Sequence, residues 1–152
     1  MKLKKISFLL LIVAIGFTLD IKAQQEDAKI KAAFIYNFTR YFDWPEEVKT
    51  DTFYIGIESN QSIYNELLKA SKNRRVKVYE VKETNVENLN LHILYSNDVK
   101  TLNKYQGKSV LLISELEDKN ISMVQFRKEE SSQKYQLNQE KIDKIGLKKR
   151  GG

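Results

Sequence analysis

Apolar residues between positions 30 and 42 recur at helical spacing. At about 100° per residue, Ile30, Phe34, Ile35, Phe38, Tyr41 and Phe42 share one arc, whereas Ala32, Tyr36, Asn37, Thr39 and Arg40 lie outside it. Ile30, Phe34, Phe38 and Phe42 are therefore expected in the core. Pro45 cannot extend the helix and pushes Trp44 out of the helical region, so the chain is expected to leave in an extended or turn conformation. The pattern then changes to that of strands. Residues 53–57 (Phe-Tyr-Ile-Gly-Ile) are aromatic and β-branched, and residues 76–81 (Val-Lys-Val-Tyr-Glu-Val) alternate with period two. Between them, Asn60-Gln-Ser offers a cap, and Ile63, Tyr64, Leu67, Leu68 and Ala70 predict a helix to about Ser71.

A polar connection at 82–90, with one helical turn at Val86 and Leu89, leads to a strand at 91–95. Asn97 is the expected cap of a short helix whose inner stripe is Val99 and Leu102, and Gly107 is its stop. Four apolar residues at 110–113 suit a strand covered on both faces. Residues 122–126 and 134–137 flank a charged loop at 127–133 and read as an antiparallel pair, and Asn138 can cap a last helix that holds Ile142 and Ile145 and closes at Gly146. The class predicted is α/β: a mostly parallel sheet flanked by helices on both faces, with an antiparallel C-terminal strand pair.

The first residues do not belong to that domain. Lys2, Lys4 and Lys5 precede an apolar run from 6 to 19 and then Asp-Ile-Lys-Ala, the layout of a secretory signal peptide cleaved near Ala23. The run is shorter than the roughly 20 residues needed to span a bilayer. A signal at 1–23 and one domain at 24–152 are expected, in the periplasm. Without the signal, which carries four Lys and one Asp, the formal charge falls from +6 to +3. That mixed balance gives no argument for nucleic acid. The sequence has no cysteine, which excludes disulfides, thiol catalysis, thiolate metal sites and a lipid-modified amino-terminal Cys.

Candidate chemistry is sparse. His92 is the only histidine, has no acidic residue at ligand spacing, and reads as structural or as an edge residue. No Gly-x-Ser-x-Gly elbow is present, and the turn after the first strand has one glycine followed by Glu58, which would repel phosphate. No catalytic residue, metal or cofactor is assigned. The acid pairs at 46–47, 115–118 and 129–130 read as solvated surface. Lys69, Lys72, Arg74, Arg75 and Lys77 form a basic cluster at a helix end, where cations favour the helix dipole; docking on an acidic partner or membrane surface is the sharper reading. Packing does not require Tyr36 and Arg40, four apart on the far side of the first helix, or Asn37 at its margin. With Trp44 at the stop they make the aromatic and arginine mix enriched at interface hot spots. They are the candidate partner- or ligand-binding residues, while Phe34, Phe38, Pro45 and Asn138 are structural.

The segment at 31–45, Lys-Ala-Ala-Phe-Ile-Tyr-Asn-Phe-Thr-Arg-Tyr-Phe-Asp-Trp-Pro, resembles the opening signature of the YfiR-like (DUF4154) family. The resemblance continues through Tyr-Ile-Gly-Ile at 54–57, the strands at 91–95 and 110–114, Ile121 to Phe126, Tyr-Gln-Leu-Asn at 135–138 and Ile-Gly-Leu at 145–147. It implies a non-enzymatic exported regulator that binds and restrains the external domain of an inner-membrane signalling protein, a diguanylate cyclase or a sensor kinase, either alone or as a homodimer. The alternative is a periplasmic binding protein or sensor for a small ligand or cell-wall fragment, with a concave pocket at Tyr36, Asn37, Arg40 and Trp44. An enzyme is the third reading. Two departures from the family stand out. The disulfides of better-known members are absent, and an apolar closing segment gives way to Lys-Lys-Arg-Gly-Gly, so either a shortened member or an incomplete sequence is expected.

Overall fold

The computed structural model describes residues 2–72 and 75–151, with the backbone alone for 2–20 and Val86. Helix α1 (Lys2–Tyr41) runs directly into β1 (Phe42–Asp43). A polar connector leads to β2 (Phe53–Glu58), α2 (Gln61–Ser71) and β3 (Val76–Val81). Then come β4 (Ile93–Tyr95), α3 (Val99–Lys104), β5 (Leu111–Ser114), the hairpin β6 (Val124–Glu129) and β7 (Ser132–Leu137), α4 (Gln139–Lys144) and β8 (Lys148–Lys149). The expected cleavage after Ala23 falls inside α1. Among the described residues, no helix is long and apolar enough to cross a membrane.

Six strands form one sheet in the order β3-β2-β4-β5-β6-β7, parallel except for the β6–β7 pair. The chain moves outward in one direction through α2 and in the other through α3. Right-handed crossovers therefore place α2 and α3 on opposite faces. α1 shares the face of α2 and packs against it. Its ring at Phe34 meets Phe126 and Tyr135 of the hairpin at 6.1 and 5.0 Å, and Phe38 meets Tyr135 edge-on at 5.1 Å. The predicted α/β class is the observed one.

Particular positions differ from expectation. The buried face of α1 carries Ala28, Lys31, Ala32, Ile35, Phe38 and Thr39, continued by Phe42 of β1, while Ile30 is 41% exposed. The face is rotated toward Ala28 and Ala32, whose small side chains let α2 approach, and the Thr39 hydroxyl is satisfied on the Tyr36 carbonyl at 2.7 Å. The α3 cap is Asp98, accepting from the Lys100 and Thr101 N–H groups, rather than Asn97, and Val99 is exposed. Asn60 and Asn138 cap α2 and α4 as expected. The charged stretch at 127–133 is largely strand, because the hairpin reverses over two residues, with Glu130 at φ 54°. No Gly or Asn marked that turn in the sequence. Within the basic cluster, Lys69 pairs with Glu66 and Arg75 with Asp51; Arg74 lies outside the described residues.

Gly56 marks the tightest point of the sheet face that meets the β3–β4 connection. A Cβ there would stand 2.5 Å from Leu91 Cδ1 and 2.7 Å from Val81 Cγ2, both on buried side chains. Gly56→Ala is expected to cost about 1–3 kcal/mol by overpacking. Urea unfolding checks this, and an unchanged midpoint would show that Leu91 and Val81 yield freely.

Candidate functional site

The carboxyl-terminal turns of α1 carry the predicted site. On its solvent side the Arg40 guanidinium lies 5.5 Å from the Tyr36 ring centre, with Nη2 donating to the phenol oxygen at 3.5 Å. Asn37 is exposed one turn away. β8 pairs antiparallel with β1, Phe42 opposite Lys149 and Asp43 opposite Lys148, and adds basic groups to the same end of the helix. Lys149 Nζ lies 5.9 Å from the Tyr41 ring, and Arg150 Nε donates to Asp43 at 2.7 Å. Cations here also suit the negative end of the helix dipole. Lys149 and Tyr41 are brought together by a pairing between residues far apart in sequence. Only the basic C-terminus hinted at it.

Trp44 does not join that surface. Pro45 turns the chain inward, and the indole is 7% exposed, packed edge-on to Phe53 at 5.7 Å and to His92 at 5.4 Å. Tyr36, Asn37 and Arg40 are thus together on a convex helix face, and the expected concave pocket with Trp44 is not formed. The clefts near His92, Ser122 and Lys31 are lined by other residues.

Most buried polar groups of the domain are engaged, the Trp44 indole N–H and the Ser122 hydroxyl being the exceptions among the described residues. His92 Nδ1 accepts from the Tyr54 N–H at 3.1 Å, which makes Nε2 the protonated nitrogen, donating to the Val48 carbonyl at 2.9 Å. This imidazole is a brace and not a base. Desolvation lowers its pKa below the ordinary value, with the bond to Val48 acting in the opposite direction.

At the other end of the sheet, Lys31 is buried and its ammonium meets Asp27 at 2.7 Å and Glu115 at 2.9 Å. Burial works against its charge, but the hydrogen bonds and charges of the two acids outweigh this and hold its pKa above the ordinary value. Glu115 also accepts from the Tyr95 hydroxyl, whose pKa is raised by burial first and by that carboxylate second. Sequence alone does not reveal this network, because a helical Lys and a loop Glu both read as solvated. Among the described residues, no group of three or more His, Cys, Asp or Glu is placed to hold a metal ion.

These features describe a domain with a partly exposed aromatic and basic helix end and, among the described residues, no assembled catalytic constellation. The YfiR/HmsC-like family model matches residues 28–150, from the buried face of α1 to the end of β8. The chain belongs to the YfiR/HmsC-like family. No curated protein matches it. The YfiR/HmsC-like proteins are regulators and are not known as enzymes. The match begins five residues after Ala23, so the YfiR/HmsC-like domain excludes the segment read as a signal.

Proposed function

We propose that the protein is a non-enzymatic periplasmic regulator that binds and restrains the external domain of an inner-membrane signalling protein, either a diguanylate cyclase or a sensor kinase. Family membership carries the reading. A leader at 1–23, removed near Ala23, delivers the domain to that compartment. Docking runs through the carboxyl end of α1, where Asn37 and Arg40 are exposed, the half-buried Tyr36 turns its hydroxyl to Arg40, and Lys149 adds positive charge. The complementary surface on the partner is acidic, so binding weakens as salt rises.

Tagged mature protein is expected to recover an inner-membrane signalling protein from solubilised membranes. Arg40→Ala and Tyr36→Ala are expected to weaken that capture by tenfold or more, an effect of about 2 kcal/mol at a hot spot. Arg40 is exposed, so its loss should hardly change thermal unfolding; Tyr36 is half-buried against the core, so its truncation is expected to lower the midpoint modestly while the domain stays folded. Recovery of no membrane receptor would remove the proposal. Undiminished capture by both stable variants would move the interface elsewhere.

A further inference from the structure

The two ends of the parallel sheet differ in what they leave open. Open α/β sheets usually take ligands beyond the carboxyl ends of their strands, where the strand order reverses. Here the order reverses between β2 and β4, and the polar side chains nearest that point are bonded to one another, with clefts remaining beside Lys31 and along Glu115 and β6. The Ser96 and Thr101 hydroxyls both donate to the Glu58 carboxylate, Asp98 is held by the first N–H groups of α3, and Glu115 is shared by Lys31 and Tyr95.

The amino-terminal end carries a cleft of about 470 Å³, inside the size range of small-molecule sites. One wall is the connector at Val48 and Thr50, another is Leu89 and Leu91, and Tyr105 and Val110 close the third. Its sheet side is a shelf of rings. Tyr54 lies nearly parallel to His92, 17° and 5.7 Å away, and to Tyr79, 20° and 6.0 Å away.

Charge at the rim is uneven. Gly107, at φ +76°, turns the chain so that Lys108 Nζ sits 4.7 Å over the Tyr105 ring. No carboxylate of the described residues lies within ion-pairing distance of it, whereas Lys104 nearby is paired with Glu87 at 3.5 Å. Glu47 and Glu87 also line the cleft, so a second negative charge on a bound molecule would be repelled.

We propose that this cleft binds a small planar aromatic monocarboxylate, its ring on the Tyr54 shelf between the apolar walls and its carboxylate on Lys108. Aromatic stacking and one charge-assisted hydrogen bond supply the recognition. The site goes beyond the partner-docking reading and does not depend on it. The ligand has a route to be sensed, because His92 on the inner wall is packed edge-on against Trp44 and bonded to Val48 of the connector.

Naphthoate titrated into the full chain by calorimetry is the test, with the single indole N–H resonance, that of Trp44, followed by NMR. Binding heat and a saturable shift of that resonance are expected. Lys108→Gln, at an exposed position, should weaken naphthoate about tenfold, the worth of one charge-assisted contact. Naphthalenemethanol, without the charge, and naphthalenedicarboxylate, with a second, should each bind about tenfold more weakly than naphthoate. The proposal is overturned if millimolar naphthoate gives neither heat nor shift, if Lys108→Gln binds it unchanged, or if either control probe binds as tightly.

Discussion

Truncating Phe38 to Ala is expected to lower the unfolding free energy by about 3–5 kcal/mol, the range for removing a buried ring from a core. Phe38 is 2% exposed and meets Tyr41, Phe42 and Tyr135 at ring-centre distances of 6.3, 6.0 and 5.1 Å. It is the point at which α1, β1 and the hairpin strand β7 share one aromatic cluster. The neighbouring rings are held by other contacts, so they cannot simply collapse into the space. Urea unfolding of the mature chain reads the loss. A change below about 1 kcal/mol, the size of an ordinary mutation, would mean that the cluster closes around the gap.

His92→Leu is expected to cost about 2–4 kcal/mol, because it leaves the Tyr54 N–H and the Val48 carbonyl without their partner. It should also remove a pH dependence. In the folded protein desolvation holds the His92 pKa below the ordinary 6.5, and protonating Nδ1 would also set it against the Tyr54 N–H. Between that lowered value and 6.5 the unfolded chain binds more protons than the folded one. Stability therefore falls as the pH drops through this window, and His92 contributes no slope above it. The wild-type protein should lose stability on acidification below neutral while the Leu variant stays flat over the same window. Parallel pH profiles for the two would refute the assignment.

Most of the sheet was legible because its strands obey one rule each. Val76–Val81 alternates and is an edge strand, while the apolar run through Leu111–Ser114 lies between two parallel neighbours and is buried on both faces. The caps at Asn60 and Asn138 were legible because a side-chain oxygen at a helix start has one clear task. Rotation of α1 was not legible. Ring size drew the predicted arc toward Ile30, whereas packing on α2 selected the small residues Ala28 and Ala32. For the candidate site, the spacing of Tyr36 and Arg40 survived intact. The place of Trp44 did not, since a residue after a helix stop can turn either way, and here the apolar surroundings of Phe53 and His92 took it in.

The pairing of β1 with β8 makes the order of assembly matter. Asp43 and Arg150 meet across 107 residues of sequence, and the Arg150 N–H donates to the Tyr41 carbonyl. During synthesis, at about 5–20 residues per second, the end of α1 appears seconds before the strand that closes it. Until then the rings of Phe38 and Phe42 lack their final cover, and the non-local contact that completes the domain carries the loop-closure cost of nearly the whole fold. The end of α1, which presents Tyr36 and Arg40, is therefore a surface that matures only once β8 has paired with β1. A partner reading that surface would discriminate chains with the β1–β8 pair in place from those without it.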